Sequence, residues 1–187
     1  KSFRDAQLMT FLVQWTRSFL FLVQMYLMML VFGVAFFPWT LFSRQGAYSA
    51  VRNYCRWIRW TASWMVGLHS EIRGEIPKGE LLIAGKHQSF FDVIMIVSVV
   101  EKPKFIMKAS LKWAPVLGQY GLRIGCVPVE RGKRAEAIKS MLQKVKSGKA
   151  PAGQLIIYPQ GTRVAPGDHV PYKVGTAALY RETQQKV

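Results

Sequence analysis

The stretch Leu81-Leu82-Ile83-Ala84-Gly85-Lys86-His87-Gln88-Ser89-Phe90-Phe91-Asp92-Val93-Ile94-Met95-Ile96-Val97-Ser98-Val99-Val100 decides the fold. Leu81 to Ala84 is too short an apolar run for a helix and reads as a buried strand. A polar loop follows, then the longer apolar run Phe91 to Val100, which reads as a helix. Downstream the same alternation continues. Lys104 to Met107 and Cys126 to Val129 are strand-like, with Pro128 implying an edge position or a bulge. Arg134 to Lys146 has the amphipathic spacing of a helix, with Ile138, Leu142 and Val145 on one face and Ser147-Gly148 as a stop. Gln154 to Tyr158 reads as a strand and Val174 to Thr183 as a final helix. Strands alternating with helices predict an α/β fold: a mostly parallel sheet flanked by helices.

Upstream the composition changes. Ser18 to Ser43 carries no charge, and Leu20 to Phe37 is nearly continuous Leu, Phe, Val and Met. About 20 such residues cover a bilayer core, so this is a membrane segment, with Pro38 expected to stop it. The run is too long for a cleaved signal peptide and lacks a small-residue cleavage site. Ala47 to Val66 differs: on a helix, Arg52, Arg56 and Arg59 form one stripe and Trp57, Trp60 and Trp64 a neighbouring one. Trp beside Arg suits the headgroup layer, where Arg meets lipid phosphates; a helix packed on the folded domain is the other reading. The expected organisation is residues 1–68 as a hydrophobic and amphipathic helix pair for membrane attachment, then residues 69–187 as the α/β domain. Arginines after the apolar run tilt the count towards a cytoplasmic domain on the inner (plasma) membrane. The chain opens on Lys1 and stops at Val187 within an unfinished element, so it reads as a fragment.

The 187 residues carry a formal charge of +16, from 26 Lys and Arg against 10 Asp and Glu. Such a surplus points to a polyanion: nucleic acid, anionic lipid or a phosphorylated substrate. A nucleic-acid binder leaves the Leu20 to Phe37 run unexplained, so no nucleic-acid partner is expected. Cys55 and Cys126 match no zinc or redox spacing and read as reduced, buried thiols; no metal site is expected. There is no Gly-rich phosphate loop.

Three segments carry chemistry. In the first, His87 lies five residues before Asp92, about 140° apart on a continuous helix, so the segment must turn for the pair to meet. Ser89 reads as a helix N-cap with Asp92 as its capping-box partner. His87 can then fold back over the helix end, where the positive helix terminus keeps Asp92 ionised. Asp92 either caps only, or also orients one imidazole nitrogen and leaves the other as a base. The second segment, Tyr158-Pro159-Gln160-Gly161-Thr162-Arg163, makes a tight turn at a strand's carboxyl edge, where open α/β sheets bind ligands. The third, Gly125-Cys126-Val127-Pro128-Val129-Glu130-Arg131 with Arg134, is another strand end bearing arginines, whose planar fork suits phosphate. Lys108 follows a strand in the same way. Each segment alone is compatible with a solvated charged loop, whereas together they suit one crevice. His69 and His169 read as structural or exposed.

In this order the segments resemble the glycerolipid acyltransferase family, from about Leu81 to Thr183. His87 to Asp92 matches the family's H-x4-D box, Gly125 to Arg131 is similar to its second block, and Pro159 to Arg163 to its P-E-G-T-R block. Gln160 stands where the family usually has glutamate, which leaves a neutral hydrogen-bonding role there. The family's fourth block, a V-P-V-like strand, is not reached before Val187. The resemblance implies transfer of a fatty acyl group from acyl-CoA or acyl-carrier protein to the free sn-2 hydroxyl of 1-acylglycerol 3-phosphate (lysophosphatidic acid), making phosphatidic acid. Those thioesters are co-substrates, and no further cofactor is implied. His87 and Asp92 would be catalytic, with Arg131, Arg134, Gly161, Thr162, Arg163 and Lys108 at the acceptor phosphate. Glycerol 3-phosphate or another lysolipid is the alternative acceptor, and a non-catalytic module binding anionic membrane lipids the alternative class.

Overall fold

The computed structural model describes residues 2–130, 136, 139, 143, 153–174, 176, 177, 180 and 181. Helix α1 spans Ser2–Phe42. Within its apolar part, Met9–Phe42, an 18-residue window reaches a mean hydropathy of 2.3 and is only 6% buried within the protein. A core helix would be covered by its neighbours; this one shows its apolar side chains outward, as lipid contact requires. The helix does not stop at Pro38. Proline removes only its own N–H, the donor to the residue 34 carbonyl. Meanwhile the carbonyls of Thr40 and Leu41 are taken up by the Arg123 guanidinium, and that of Trp39 by the Ser43 N–H.

Ser43 turns the chain. Its extended backbone and its side-chain oxygen, which accepts the Gln45 N–H at 3.1 Å, cap helix α2, Arg44–Met65. The two helices run antiparallel, as successive contacts show: Tyr54 Oη donates to the Met25 carbonyl, Trp57 Nε1 to Gln24 Oε1, and Arg17 to the carbonyls of Trp64 and Met65. The opposite flank of α2 packs on helix α3, Phe91–Val99, where Cys55 and Ile58 meet Ile94 and Val97.

The arginine stripe of α2 therefore faces protein. Arg52 donates to the Glu101 carbonyl, Arg56 to the Ser98 carbonyl, and Arg59 to Ser98 Oγ and to Ser70. This corrects the expectation that these arginines reach lipid phosphates. The carbonyl end of α3 is electronegative and lacks intrahelical donors, and it lies within hydrogen-bond reach of Arg56. Trp60 and Trp64 remain exposed.

Four strands, β1 Leu82–Ala84, β2 Pro103–Lys108, β3 Val127–Val129 and β4 Gln154–Ile157, form one parallel sheet in the order β1-β4-β2-β3. Leu82 pairs with Leu155, Lys104 with Leu155 on the other side, and Ile106 with Val127. Pro128 sits on edge strand β3, as a residue without an N–H requires. Between β2 and β3 the chain makes a 3-10 turn, Ala109–Trp113, and helix α4, Leu117–Arg123. Tyr120 and Ile124 join Ala47, Tyr48 and Ala50 of α2 in a core cluster with Cys126. Cys55 and Cys126 are free and buried. The expected helix at Arg134 to Lys146 falls largely outside the described residues; Glu136, Lys139 and Gln143 are helical, as are Thr176, Ala177, Tyr180 and Arg181 of the last predicted helix.

Candidate active site

Parallel strands bring all their carboxyl ends to one edge, and the strand order decides which loops become neighbours. β4 returns beside β1. The loop after β1 and the turn after β4 therefore lie together, although His87 and Gln160 are 73 residues apart in sequence.

The loop folds His87 back as the spacing predicted. His87 Nδ1 lies 3.1 Å from Asp92 Oδ2, and the two side chains are 18% and 20% exposed. The same oxygen accepts the N–H groups of Gln88 and Ser89, while Oδ1 accepts from Ser89 Oγ. Partial burial by itself would raise the Asp92 carboxyl. The two backbone N–H bonds, with those from His87 and the Ser89 hydroxyl, outweigh it and hold the pKa below the ordinary carboxylate value. An ionised Asp92 accepts Nδ1–H, which leaves Nε2 with a lone pair and no partner among the described residues.

The cap forms as expected, with Ser89 as N-cap and Asp92 as its capping-box partner. The residue preceding α3 is Phe90, already in helical conformation and without a side-chain cap. Ser89, one residue earlier, supplies the cap: its Oγ accepts the Phe91 N–H at 3.1 Å, and Asp92 Oδ2 accepts the Ser89 N–H at 2.9 Å. Asp92 thus serves the cap and the imidazole with one carboxylate.

The turn after β4 closes with the Gly161 N–H donating to the Tyr158 carbonyl at 2.9 Å, and Gly161 takes φ 70°, a left-handed conformation that glycine adopts without strain. Gln160 is 2% exposed, and its Oε1 accepts the His87 N–H at 3.0 Å. On the other side of His87, its carbonyl accepts the Val164 N–H at 2.8 Å. The turn thus grips the His87 backbone on both sides. An amide oxygen meets this need as well as a carboxylate oxygen, so the change from glutamate to Gln160 retains the bond.

Tyr158 supplies a contact that sequence reading left without a role. Its ring stacks on the His87 imidazole, centroids 4.1 Å apart and planes 22° apart. Its hydroxyl is buried without a partner among the described residues. Burial first, and the Asp92 charge second, hold it protonated by raising its pKa. The only sequence signal was an aromatic residue ending a strand directly before a turn.

Thr162 and Arg163 are exposed at this edge, and Arg163 has no partner among the described residues. Arg163 is directly followed by Val164, which bonds the His87 carbonyl, so its backbone lies beside the histidine. Lys108 is exposed at the carboxyl end of β2. Arg131 and Arg134 lie outside the described residues, just after β3. His69 and His169 are exposed.

A parallel sheet with a His–Asp pair and an unpaired arginine at its carboxyl edge has the parts for activating a hydroxyl beside an anionic group. The chain belongs to the acyltransferase family: the family model described as Acyltransferase matches residues 68–187. It is similar to the 1-acyl-sn-glycerol-3-phosphate acyltransferase of Pseudomonas aeruginosa, 25% identical over 131 residues, covering 69% of this chain and 51% of that protein. It is also similar to a chloroplastic enzyme of the same name from Brassica napus, 30% identical over 100 residues, or 52% of this chain and 28% of that one. The chain therefore matches about half of the first relative's length and under a third of the second's. The crystal structure of the 1-acyl-sn-glycerophosphate (LPA) acyltransferase PlsC from Thermotoga maritima shares the fold, with a TM-score of 0.74 over 92% of this chain and 72% of that one at 20% identity.

Proposed function

We propose that this chain transfers a fatty acyl group from acyl-CoA or acyl-carrier protein to the sn-2 hydroxyl of 1-acylglycerol 3-phosphate, producing phosphatidic acid at the cytoplasmic face of the inner (plasma) membrane. In this reading residues 1–68 anchor the protein and residues 69–187 carry the chemistry. The observation that carries it is the His87 Nδ1 to Asp92 Oδ2 contact of 3.1 Å, with Nε2 left open.

Asp92 holds the imidazole in the tautomer with its proton on Nδ1. Nε2 takes the proton from the acceptor hydroxyl as its oxygen attacks the thioester carbonyl. The tetrahedral intermediate collapses with loss of the thiolate, which is protonated by the imidazolium; the ester bond forms as the thioester bond breaks. Holding both substrates side by side supplies much of the acceleration. Arg163, with Lys108, Arg131 and Arg134, would bind the acceptor phosphate, and Gly161 and Thr162 shape the turn around it.

Direct transfer is favoured over an acyl-enzyme. Ser89 Oγ is engaged with Asp92 and the Phe91 N–H. Burial pushes the Cys126 thiol up to about 11, which suppresses the thiolate.

Thioester release by the membrane-reconstituted protein, measured with a panel of lysolipid acceptors, tests the reading. Release should require 1-acylglycerol 3-phosphate and vanish in His87→Ala. Equal release with lysolipids that lack the phosphomonoester would overturn the acceptor, and near-normal turnover by His87→Ala would overturn the chemistry.

A further inference from the structure

We infer that the segment Ala109–Arg123 is a second membrane-contacting surface, resting on the headgroup layer of an anionic bilayer beside the carboxyl edge of the sheet. The inference depends on α1 meeting lipid and not on the acyl-transfer reading.

The composition of the exposed face comes first. Trp113 is 77% exposed, and Leu111, Leu117 and Leu122 are exposed around it. Lys112 Nζ lies 5.0 Å from the Trp113 ring centroid. A tryptophan in water leaves a large apolar ring unburied, whereas at a bilayer interface the same ring is partly dehydrated. Lysine beside it can lay its methylenes on apolar surface and keep its ammonium among phosphates. No Asp or Glu occurs from Ala109 to Arg123, so nothing in the segment repels an anionic surface.

Continuity with α1 comes second. Tyr120 Oη donates to the Gly33 carbonyl at 2.6 Å, and Arg123 donates to the carbonyls of Thr40 and Leu41. The adjoining part of α1 exposes Leu30, Val31, Val34, Phe37 and Leu41. A segment fastened along a lipid-facing helix shares its surroundings. Placement comes third, because the 3-10 turn begins directly after Lys108, the last residue of β2. The surface therefore lies between α1 and the edge that carries His87, an arrangement in which a lipid substrate reaches the site without crossing water.

The test places an environment-sensitive fluorophore, NBD, on Trp113→Cys. Cys55 and Cys126 are buried, and unmodified protein treated in parallel reports any labelling of them. Lys78→Cys, exposed in the turn before β1, is the control position. The labelled proteins are added to vesicles of phosphatidylcholine with phosphatidylglycerol, and to phosphatidylcholine alone. NBD at position 113 should shift to the blue and be quenched more by shallow than by deep doxyl-labelled lipid. The shift should be larger with phosphatidylglycerol, and position 78 should stay unchanged. Water-like emission from position 113 while the protein sediments with the vesicles would overturn the inference. So would a shift without vesicles, together with cross-linking between two 113 positions in the unlabelled Trp113→Cys protein, which would make a second copy the occupant. Equal shifts in both vesicle types would overturn the anionic assignment.

Discussion

Val116 fills the notch that Gly33 leaves in α1: a Cβ on Gly33 would lie 2.6 Å from Val116 Cγ1. Val116 does this from φ 61°, ψ −62°, with the Leu117 N–H bonded back to the Pro115 carbonyl at 2.6 Å. That is a γ-turn of the rare, strained hand, adopted by a β-branched residue.

Gly33→Ala should therefore loosen α4 from α1. Alanine gains about 1 kcal/mol of helix propensity over glycine, but overpacking against a short side chain on a strained backbone costs about 1–3 kcal/mol. The net loss reaches about 2 kcal/mol, read as a lower melting temperature in detergent and faster amide exchange at Tyr120. Adding Val116→Ala should restore part of the loss. Independent, additive effects of the two changes would deny the contact.

Asp92 gives a pH dependence with a definite sign. Its carboxyl sits below the ordinary value in the folded protein, against about 3.9 when unfolded. The stability contributed by its hydrogen bonds is thus complete above the unfolded value and is lost as pH falls through the folded one. The melting-temperature gap between the parent and Asp92→Asn should be flat from about pH 7 to about pH 5 and shrink below about pH 4. Turnover by Asp92→Asn should fall less than that by His87→Ala. A stability gap that persists undiminished in acid would mean that Asp92 is not held ionised.

Gln160→Glu should keep activity within about tenfold, or roughly 1.4 kcal/mol, because either side chain offers an oxygen to the His87 N–H. Gln160→Leu should lose far more. It strands a buried backbone donor at a cost of about 1–3 kcal/mol and frees the loop that aims the imidazole. Parent-like turnover by Gln160→Leu would show that this bond does not position His87.

Arg163→Ala should raise the apparent KM for the phosphorylated acceptor by roughly 10- to 150-fold, the equivalent of a charge-assisted hydrogen bond of about 1.5–3 kcal/mol. KM for the acyl donor should move little. Equal changes for both substrates would place the arginine elsewhere in the reaction.

The sheet and the meeting of His87 with Asp92 were legible because short apolar runs, turn residues and an i to i+5 spacing are local signals. Pro128 could be assigned to an edge for the same reason. Helix α4 was not legible: Leu117–Arg123 holds two glycines, follows a proline, and is too short to form without a partner. It exists because it docks at Gly33, which no local pattern announces. The arginines of α2 were misjudged for a related reason. Their spacing was correct, but which acceptors lie beside them depends on where α3 ends in space. The bond from His87 to Gln160 joins the ends of strands whose adjacency only the sheet order reveals.

The arginines close the carbonyl ends of three helices in succession, each from another element: Arg123 of α4 on α1, Arg17 of α1 on α2, and Arg56 of α2 on α3. Swinging any one of these helices away would bare carbonyls and a guanidinium together. Anchor and sheet are consequently yoked, and the height of His87 above the bilayer midplane follows the seating of α1. In the proposed reaction His87 would then act at a depth set by the anchor. The acceptor's hydroxyl would have to reach that depth, so lysolipids would be sorted by where each holds its glycerol in the leaflet.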